Sequence, residues 1–337
     1  MTNKEIDKLI VAGNFPEAGC KPELIETHIS WVILCENYVY KIKKPVFYHF
    51  IDFSTIGKRK YYCDREVSLN KRLANDIYID VVPVKNGSGK LFVGDDVGEV
   101  VDYAVRMRKL DRQTQMDYLL RNGGITITDM ELLAKKIIAF HNSTEIIFQK
   151  DVLDIRQKFN DLGFEKDFLQ RHFGLEAEAL IIHAVDVSDY YLRNNQALLT
   201  TRLYEGFFRD CHGDLHAKNI FLVPGSPQFF DCIEFNDDYR QVDVLNEIAF
   251  LCMDLDAFGR EDLADYFLKY YNKLFPVMRN KDEKMLFFYY KSYRANIMAK
   301  INSLRAKSTE NEMLQKPLLK EAKKYLELMN RYLKMIE

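Results

Sequence analysis

The residues with the clearest chemical potential lie in one short stretch of the second half of the chain. His212, Gly213 and Asp214 are consecutive, Asn219 follows five residues after the aspartate, and Asp231 comes twelve residues later. A glycine beside an acid is typical of a tight loop that presents a carboxylate. The runs IFLV and QFF flank a Pro-Gly turn, so we expect a hairpin with Asn219 and Asp231 at the same end. Amide and carboxylate oxygens suit a hard cation such as Mg²⁺, and Asp214 beside them could orient a hydroxyl and accept its proton.

The pattern H-G-D-L-H-x-x-N, followed by a strand pair and an aspartate, resembles the catalytic and metal loops of the aminoglycoside phosphotransferase and choline kinase-like family. These loops parallel the H-R-D-x-x-x-x-N and D-F-G elements of protein kinases. The resemblance implies that Asp214 is the catalytic base, that Asn219 and Asp231 bind Mg²⁺, and that His212 supports the loop. The alternative is a solvated turn with an unrelated aspartate downstream.

The resemblance covers essentially the whole chain. ETHISWV, YKIKKPV and FDCIEFND, which begin at residues 26, 40 and 230, are similar to segments of a bacterial subfamily of uncharacterised phosphotransferases. The resemblance implies transfer of the γ-phosphoryl group of ATP, with Mg²⁺, to a hydroxyl of a small molecule. It also implies an α+β, two-lobed protein-kinase-like fold. We expect the nucleotide-binding lobe at residues 1–105, the hinge at 106–110, and the catalytic and substrate-binding lobe at 111–337.

The nucleotide phosphates in such a fold need a cation on a strand of the first lobe. In YVYKIK, residues 38–43, alternation places Val39, Lys41 and Lys43 on one face. Val39 to Lys41 resembles the A-x-K end of the kinase V-A-I-K strand, which implies that Lys41 contacts the α- and β-phosphates. Lys43, on the same face, is the alternative residue, and a basic edge strand is the alternative interpretation.

A strand lysine of this kind is expected to pair with a carboxylate on the following helix. Glu66 lies three residues from both Cys63 and Leu69, inside the apolar stripe of that helix. A carboxylate that points into a core is costly unless it is paired. We therefore expect an ion pair between Lys41 and Glu66, the alternative being that Glu66 lies at the edge of the stripe and reaches solvent.

The hinge position is occupied by the run YAVRM, residues 103–107. The resemblance implies that backbone groups near Met107 and Lys109 contact adenine. The glycine-rich phosphate loop of protein kinases is missing, and Glu36 and Asn37 stand between the first two strands in its place. This absence weakens a protein-kinase assignment.

Further positions admit two roles each. Asp243 and Glu247 open the helix after the metal loop, and Asp243 either braces the catalytic loop, as the resemblance implies, or is an N-cap. Glu234 either reaches a second metal ion or is exposed to solvent. Arg294 and Lys300 lie on one long helix and either face the acceptor pocket or serve solubility.

A strand-rich first third and a helical remainder must position these residues. HISWVILCE and NYVYKIKKPV predict one hairpin, and IYIDVVPVKNGSGKLFVGDD predicts a second with its turn at residues 86–89. VGEVVDYAVRMRKL predicts a further strand, and a helix is expected from an N-cap at Ser54 to about Leu73. After Leu110 the periodicity is mostly helical, and the last stretch predicts two long helices separated near Pro317.

Bulk properties exclude several classes of protein. The 337 residues carry a net charge of −2, so nothing global favours nucleic acid or an anionic membrane as a partner. No apolar run reaches the roughly eighteen residues needed to span a bilayer. The six cysteines are scattered without a C-x-x-C pair, which argues against a zinc site and a disulfide framework. Isolated thiols are typical of a reducing compartment, so we expect a cytoplasmic protein.

Two other functions compete with a small-molecule phosphotransferase. One is a nucleotide-binding pseudoenzyme or regulator, and the other is a small, unregulated protein kinase. Lys41, Asp214, Asn219 and Asp231 are all present, which argues against a pseudoenzyme. A sugar, an amino alcohol, a nucleoside or a protein side chain are all open as acceptors.

Overall fold

The computed structural model describes residues 1–17, 19–48, 51–94 and 97–337. The chain divides into two compact units, the first of which is discontinuous in sequence. The first unit consists of Met1–Leu119 and Lys218–Arg240, and the second of Leu120–Ala217 and Gln241–Glu337. Within the described ranges, no helix combines the length and the apolar character needed to cross a lipid bilayer.

The elements confirm the predicted α+β composition, with strands concentrated in the first third of the chain. The strands are β1 (Glu23–Glu26), β2 (Ser30–Leu34), β3 (Tyr38–Lys43), β4 (Phe47–Tyr48), β5 (Ile51–Asp52), β6 (Tyr78–Gly87), β7 (Lys90–Val93), β8 (Glu99–Arg108), β9 (Phe208–Asp210), β10 (Ile220–Phe221), β11 (Gln228–Phe229) and β12 (Gln241–Asp243). The α-helices are α1 (Asn3–Ala12), α2 (Ile56–Asn70), α3 (Met116–Arg121), α4 (Ile127–Ser143), α5 (Asp154–Asn160), α6 (Lys166–Phe173), α7 (Leu175–Asn194), α8 (Gln196–Tyr204), α9 (Val244–Ala257), α10 (Glu261–Leu274), α11 (Lys281–Lys307) and α12 (Glu312–Leu333).

The first unit is built on a six-stranded antiparallel sheet with the strand order β1-β2-β3-β8-β6-β7. Both predicted hairpins are present, because β2 pairs with β3 and β6 pairs with β7. The β6–β7 turn contains Ser88 and Gly89 at positive φ, which matches the twist that a two-residue hairpin turn requires. Gly87 to Lys90, with the sequence GSGK, therefore form the predicted turn of the second hairpin.

Alternation along β3 directs its side chains into two different cores. Tyr40 and Ile42 pack with Ile6 and Leu9 of α1 in one buried cluster. Val39 packs on the opposite side, against a cluster that includes residues of α2, β6 and β8. This is the face predicted to carry the two lysines, and both lysines contact α2 as described below.

The boundaries of α2 differ from the prediction. Its N-cap is Thr55, whose hydroxyl accepts a hydrogen bond from the Lys58 amide, and the expectation of Ser54 as N-cap was wrong. The Ser54 hydroxyl instead donates to the Asp52 carboxylate at 2.6 Å. Adjacent serine and threonine residues are both good caps, so local propensity alone does not choose between them.

The second unit is mostly helical and contains one short antiparallel strand pair, β9 with β12. The predicted break between the last two helices was wrong, because α11 ends at Lys307 and α12 begins at Glu312. The side chain of Asn311 caps α12 by accepting from the Met313 amide. Pro317 lies in the second turn of α12, where it removes a single backbone hydrogen bond.

One disulfide joins Cys20 to Cys35 at the end of β2, with a Cα–Cα distance of 5.5 Å. The expectation of isolated thiols was wrong for this pair. The two residues are fifteen apart in sequence, and only the fold of the first unit brings them together. The other cysteines are buried thiols: Cys63, Cys211, Cys232 and Cys252.

Candidate functional site

The segment between Asn219 and Asp231 forms the predicted hairpin in the first unit. Ile220 pairs with Phe229 across β10 and β11, and the Phe230 amide donates to the Asn219 carbonyl at 2.8 Å. Asn219 and Asp231 therefore lie at the same end of the hairpin, as expected. Asp231 has a positive φ of 62°, a conformation that a non-glycine residue keeps only where its surroundings hold it.

The predicted ion pair between Lys41 and Glu66 is present. The Lys41 ammonium lies 2.8 Å from Glu66 Oε1 and 2.5 Å from Asp231 Oδ1. Glu66 is fully buried in the stripe of α2, so the alternative of an exposed stripe-edge residue does not hold. One strand lysine thus links the carboxylate of α2 to the aspartate that follows the hairpin.

Lys43 makes a second set of contacts with the same helix and loop. Its ammonium lies 2.7 Å from Glu66 Oε2 and also pairs with Glu234 Oε1. Both Lys43 and Glu234 are buried. The expected alternatives for Glu234, metal ligand or exposed residue, did not include this buried ion pair with a strand lysine.

The cluster keeps its lysines protonated. Burial by itself lowers the pKa of Lys41, but the carboxylates of Asp231 and Glu66 outweigh burial and hold that pKa well above its usual value. Burial raises the pKa of Glu66, but Lys41 and Lys43 outweigh burial and lower that pKa to about 2. Glu66 is therefore a carboxylate shared between two ammonium groups at neutral pH.

Two polar residues that hold the Asp231 loop were not predicted from the sequence. The Asn70 side chain accepts from the Cys232 amide at 3.0 Å and donates to the Glu66 carbonyl at 2.9 Å. The Asp231 amide donates to the Tyr78 hydroxyl at 3.1 Å. A signal for Asn70 was available, because it lies four residues after Glu66 and therefore on the same inward face of α2.

In the second unit, buried side chains fix the backbone of the His212-Gly213-Asp214 loop. Glu247 accepts from the His212 amide at 2.7 Å and from the Gly213 amide at 3.1 Å. Gly213 has a φ of 86°, which favours glycine there. The Asp214 amide donates to His212 Nδ1 at 3.2 Å, a contact consistent with the predicted support of the loop by His212.

The Asp214 carboxylate is one third exposed and lies 3.4 Å from His216 Nε2. Further along the same loop, the backbone amide of Ala217 donates a hydrogen bond to the Asp254 carboxylate at 2.8 Å. Tyr325 of α12 donates to the same carboxylate at 3.2 Å. Asp214 is thus a partly exposed acid on a loop whose backbone amides donate to the buried carboxylates of Glu247 and Asp254.

Asp243 and Glu247 were both candidates to brace the loop of His212 to Asp214, and Asp243 was also a candidate N-cap. Asp243 accepts from the Leu245 amide as the N-cap of α9 and forms a bidentate pair with Arg202, with distances of 2.6 and 2.8 Å. The residue of α9 that contacts the amides of this loop is Glu247. Asp243 is an N-cap and an ion-pair partner.

Arg294 and Lys300 were expected either to face an acceptor or to serve solubility. It is buried, donates from Nη1 to the Gly213 carbonyl at 2.9 Å, and donates from Nε to Asn246 at 2.7 Å. Lys300 lies 3.5 Å from Asp161. Burial of Arg294 excludes a role in solubility for that residue, and the possibility that Arg294 and Lys300 face an acceptor stays a prediction.

At the predicted hinge, Met107 is buried at the end of β8. The Lys109 amide donates to the Asn37 carbonyl at 2.8 Å, and its ammonium donates to the Cys35 carbonyl at 2.8 Å. This segment is therefore tied to the β2–β3 turn. The adenine contacts expected from Met107 and Lys109 stay a prediction.

No protein-family model matches the sequence. The chain is 31% identical over 288 residues to an uncharacterised protein of Mycobacterium tuberculosis strain H37Rv and to an uncharacterised protein of Mycobacterium bovis. The alignment covers 83% of this chain and 54% of each relative. The chain thus spans about half the length of the curated relatives that it matches.

Solved structures with a similar fold are kinases of small molecules. A choline kinase from Cryptosporidium parvum superposes over 99% of this chain and 96% of its own, with a TM-score of 0.61 and 11% identity. An ethanolamine kinase from Plasmodium vivax superposes over 96% of this chain and 85% of its own, with a TM-score of 0.51 and 11% identity. These likenesses, which extend over almost the entire sequence, establish that the chain has the protein-kinase-like fold found in choline and ethanolamine kinases.

Proposed function

We propose that this chain is an ATP-dependent phosphotransferase that moves the γ-phosphoryl group to a hydroxyl of a small molecule. The observation that carries the proposal is the position of Lys41, whose ammonium contacts both Glu66 and Asp231. In protein kinases a strand lysine that pairs with a helix glutamate contacts the phosphates, and a loop aspartate nearby holds Mg²⁺. Lys41 is accordingly the residue that contacts the α- and β-phosphates.

Asn219 and Asp231 would hold Mg²⁺. Their side chains supply the amide and carboxylate oxygens that this ion prefers, and they lie at one end of the hairpin. The Asp231 carboxylate pairs with the Lys41 ammonium at 2.5 Å, so a metal ion at this carboxylate would compete with that ammonium. When bound, Mg²⁺ would neutralise negative charge on the phosphate oxygens.

Asp214 would orient the acceptor hydroxyl and take its proton. Its partial exposure leaves the carboxylate accessible, while Glu247 and Arg294 hold the backbone of its loop. Holding a reactive group in one orientation is a large part of the rate enhancement expected in phosphoryl transfer. His212 serves this arrangement by accepting from the Asp214 amide.

The proposal extends to the chemical class of the molecule that accepts the phosphoryl group. The similar solved structures include kinases of choline and ethanolamine, so amino alcohols are the first class to test, followed by sugars and nucleosides. A cytoplasmic location is also proposed, and the buried free thiols of Cys63, Cys211, Cys232 and Cys252 support it.

The test is a metabolite extract incubated with the protein, Mg²⁺ and γ-labelled ATP, with the products separated and identified by mass spectrometry. We expect label on a small molecule with wild type and not with Asp214→Asn. Label on the protein itself would favour a protein kinase. Tight ATP binding without turnover in any extract would favour a pseudoenzyme and contradict the proposal.

A further inference from the structure

Lys43 is a buried lysine that the proposed reaction does not use. We propose that it is a positioning residue, which locks the loop after Asp231 onto α2 so that Lys41 is able to exchange partners. This inference rests on the proposed function for the role of Lys41. The contacts of Lys43 themselves are observed in the structure and do not depend on that function. The term buried bridge is used below for the contacts of Lys43 with Glu66 and Glu234.

The charged cluster consists of two parallel bridges that share one carboxylate. Lys41 connects Glu66 Oε1 to Asp231, and Lys43 connects Glu66 Oε2 to Glu234. Each lysine therefore uses a different oxygen of Glu66 and a different acid of the loop. The two loop acids are three residues apart, so the bridges hold both ends of the segment 231–234, which is called the locked turn below.

Burial distinguishes the two bridges. The side chains of Lys43 and Glu234 are 0% and 4% exposed, whereas those of Lys41 and Asp231 are 11% and 51% exposed. The Lys43 ammonium also lies 4.9 Å from the centre of the Phe53 ring. We call the contacts of Lys41 with Glu66 and Asp231 the outer bridge. We expect an incoming nucleotide and its metal ion to reach the outer bridge and not the buried bridge.

The charges explain why a second bridge is needed. The cluster contains three carboxylates and two ammonium groups, and a metal ion at Asp231 would repel the Lys41 ammonium and displace it from that carboxylate. The outer bridge then no longer ties the loop to α2. The buried bridge keeps that tie and keeps one Glu66 oxygen neutralised, which leaves Lys41 free to turn toward phosphate.

The backbone of the loop gives an independent reason for the lock. Asp231 holds a positive φ of 62°, which a non-glycine residue adopts only under constraint. The contacts of Tyr78 and Asn70 lie at and just after that residue. Glu234 supplies the next anchor along the chain, and its partner is Lys43.

The first test uses the free protein and needs no turnover. Cys232 is a buried thiol inside the locked turn, and Cys252 is a buried thiol of α9 in the second unit. Timed alkylation with mass-spectrometric peptide mapping measures the exposure of each. In Lys43→Met we expect Cys232 to react at least about tenfold faster than in wild type while Cys252 stays protected, because the turn opens locally.

Lys60→Met is the matched control, since Lys60 is an exposed lysine of α2 that pairs with Asp64, and it should leave Cys232 protected. Protection of Cys232 in a folded Lys43→Met protein would overturn the proposal. If that variant exposes both thiols by unfolding, Glu234→Gln decides, because it keeps Lys43 paired with Glu66. Selective exposure of Cys232 in Glu234→Gln supports the buried bridge, and protection overturns it.

The second test separates positioning from general stability. Calorimetry of ADP binding with and without Mg²⁺ should show the Mg²⁺-dependent affinity of Lys43→Met/Glu234→Met reduced at least about tenfold. Binding of ADP without Mg²⁺ should be unchanged in that double variant, which contains no unpaired buried acid at 234. Equal loss of both affinities would indicate a purely structural role. Absence of nucleotide binding in wild type would defeat the proposed function and leave the alkylation result standing.

Discussion

The charged cluster of the first unit and the His212-Gly213-Asp214 loop of the second unit are held by different kinds of contact. In the cluster, the contacts join one charged side chain to another, as in the pairs of Lys41 with Glu66 and Asp231. In the loop, buried side chains contact the backbone itself. Glu247 accepts from two consecutive amides, and Arg294 donates to the Gly213 carbonyl.

This difference indicates which region changes when ligands bind. An ammonium group is able to exchange one carboxylate for another anion at small cost, since both states are charge-paired. A buried backbone amide has no second acceptor, and losing Glu247 would leave it unsatisfied at a cost of about 1–3 kcal/mol. We therefore expect the outer part of the cluster to rearrange around nucleotide and the loop to stay fixed.

Asp231→Ala should have the largest effect, with phosphoryl transfer falling below detection at saturating Mg²⁺. The substitution removes a carboxylate ligand for a hard cation and leaves Lys41 paired with Glu66 alone. Transfer of label from γ-labelled ATP measures the loss. Asp64→Ala is the control, because Asp64 is about as exposed and also pairs with a lysine. A rate near that of wild type in Asp231→Ala would remove the cluster from the proposed site.

Asp214→Asn should reduce turnover on the order of 10²–10⁴-fold, the usual loss when a general base is removed. Nucleotide affinity should not change, because Glu247 and Arg294 anchor the loop backbone and both remain in the variant. Slow ATP turnover and calorimetry on one preparation test both statements. Loss of affinity in parallel with turnover would mean that the loop is not the fixed platform described above.

Glu247→Gln should lower the free energy of unfolding by up to about 3 kcal/mol. The amide group of glutamine has one acceptor oxygen, so its NH₂ group would face one of the two loop amides from which the carboxylate now accepts hydrogen bonds. Urea unfolding at pH 7 measures the change. Glu327→Gln, at an exposed position of α12, should have no effect, and equal stability of both variants would show that the bracing contacts contribute little.

Acidification should weaken the second unit before the first. Burial, with Arg209 nearby, lowers the pKa of His141 to about 3. An unfolded histidine binds a proton below about 6.5, so stability is lost as pH falls through that value, by roughly 2 kcal/mol at pH 5. The carboxylate of Glu66, with its pKa lowered to about 2, loses its contribution only as pH falls below its usual value of 4.5.

The measurement is urea unfolding of wild type and His141→Gln at pH 7 and pH 5. The loss between these two pH values should be smaller in the variant by roughly 2 kcal/mol. An identical loss in both proteins would assign the acid sensitivity to other groups.

The sequence by itself determined the features that depend on local pattern. Alternation along residues 38–43 placed Lys41 and Lys43 on one face of β3, and the stripe of α2 placed Glu66 in the core. The Pro-Gly turn brought Asn219 and Asp231 to one end of a hairpin. These outcomes follow from the periods of strand and helix and from turn chemistry, all of which act over a few residues.

Only the tertiary structure decided which of these residues share a partner. Lys41 and Asp231 are 190 positions apart, and Lys43 and Glu234 are 191 apart. No local sequence pattern predicts these pairs, or that both lysines also contact Glu66. The choice of Glu247 over Asp243 as the brace of the loop is of the same kind. Asp243 and Glu247 both lie at the start of α9. Which of them contacts the loop amides depends on which carboxylate lies within hydrogen-bonding distance of those amides. That distance is fixed by the packing of segments remote in sequence.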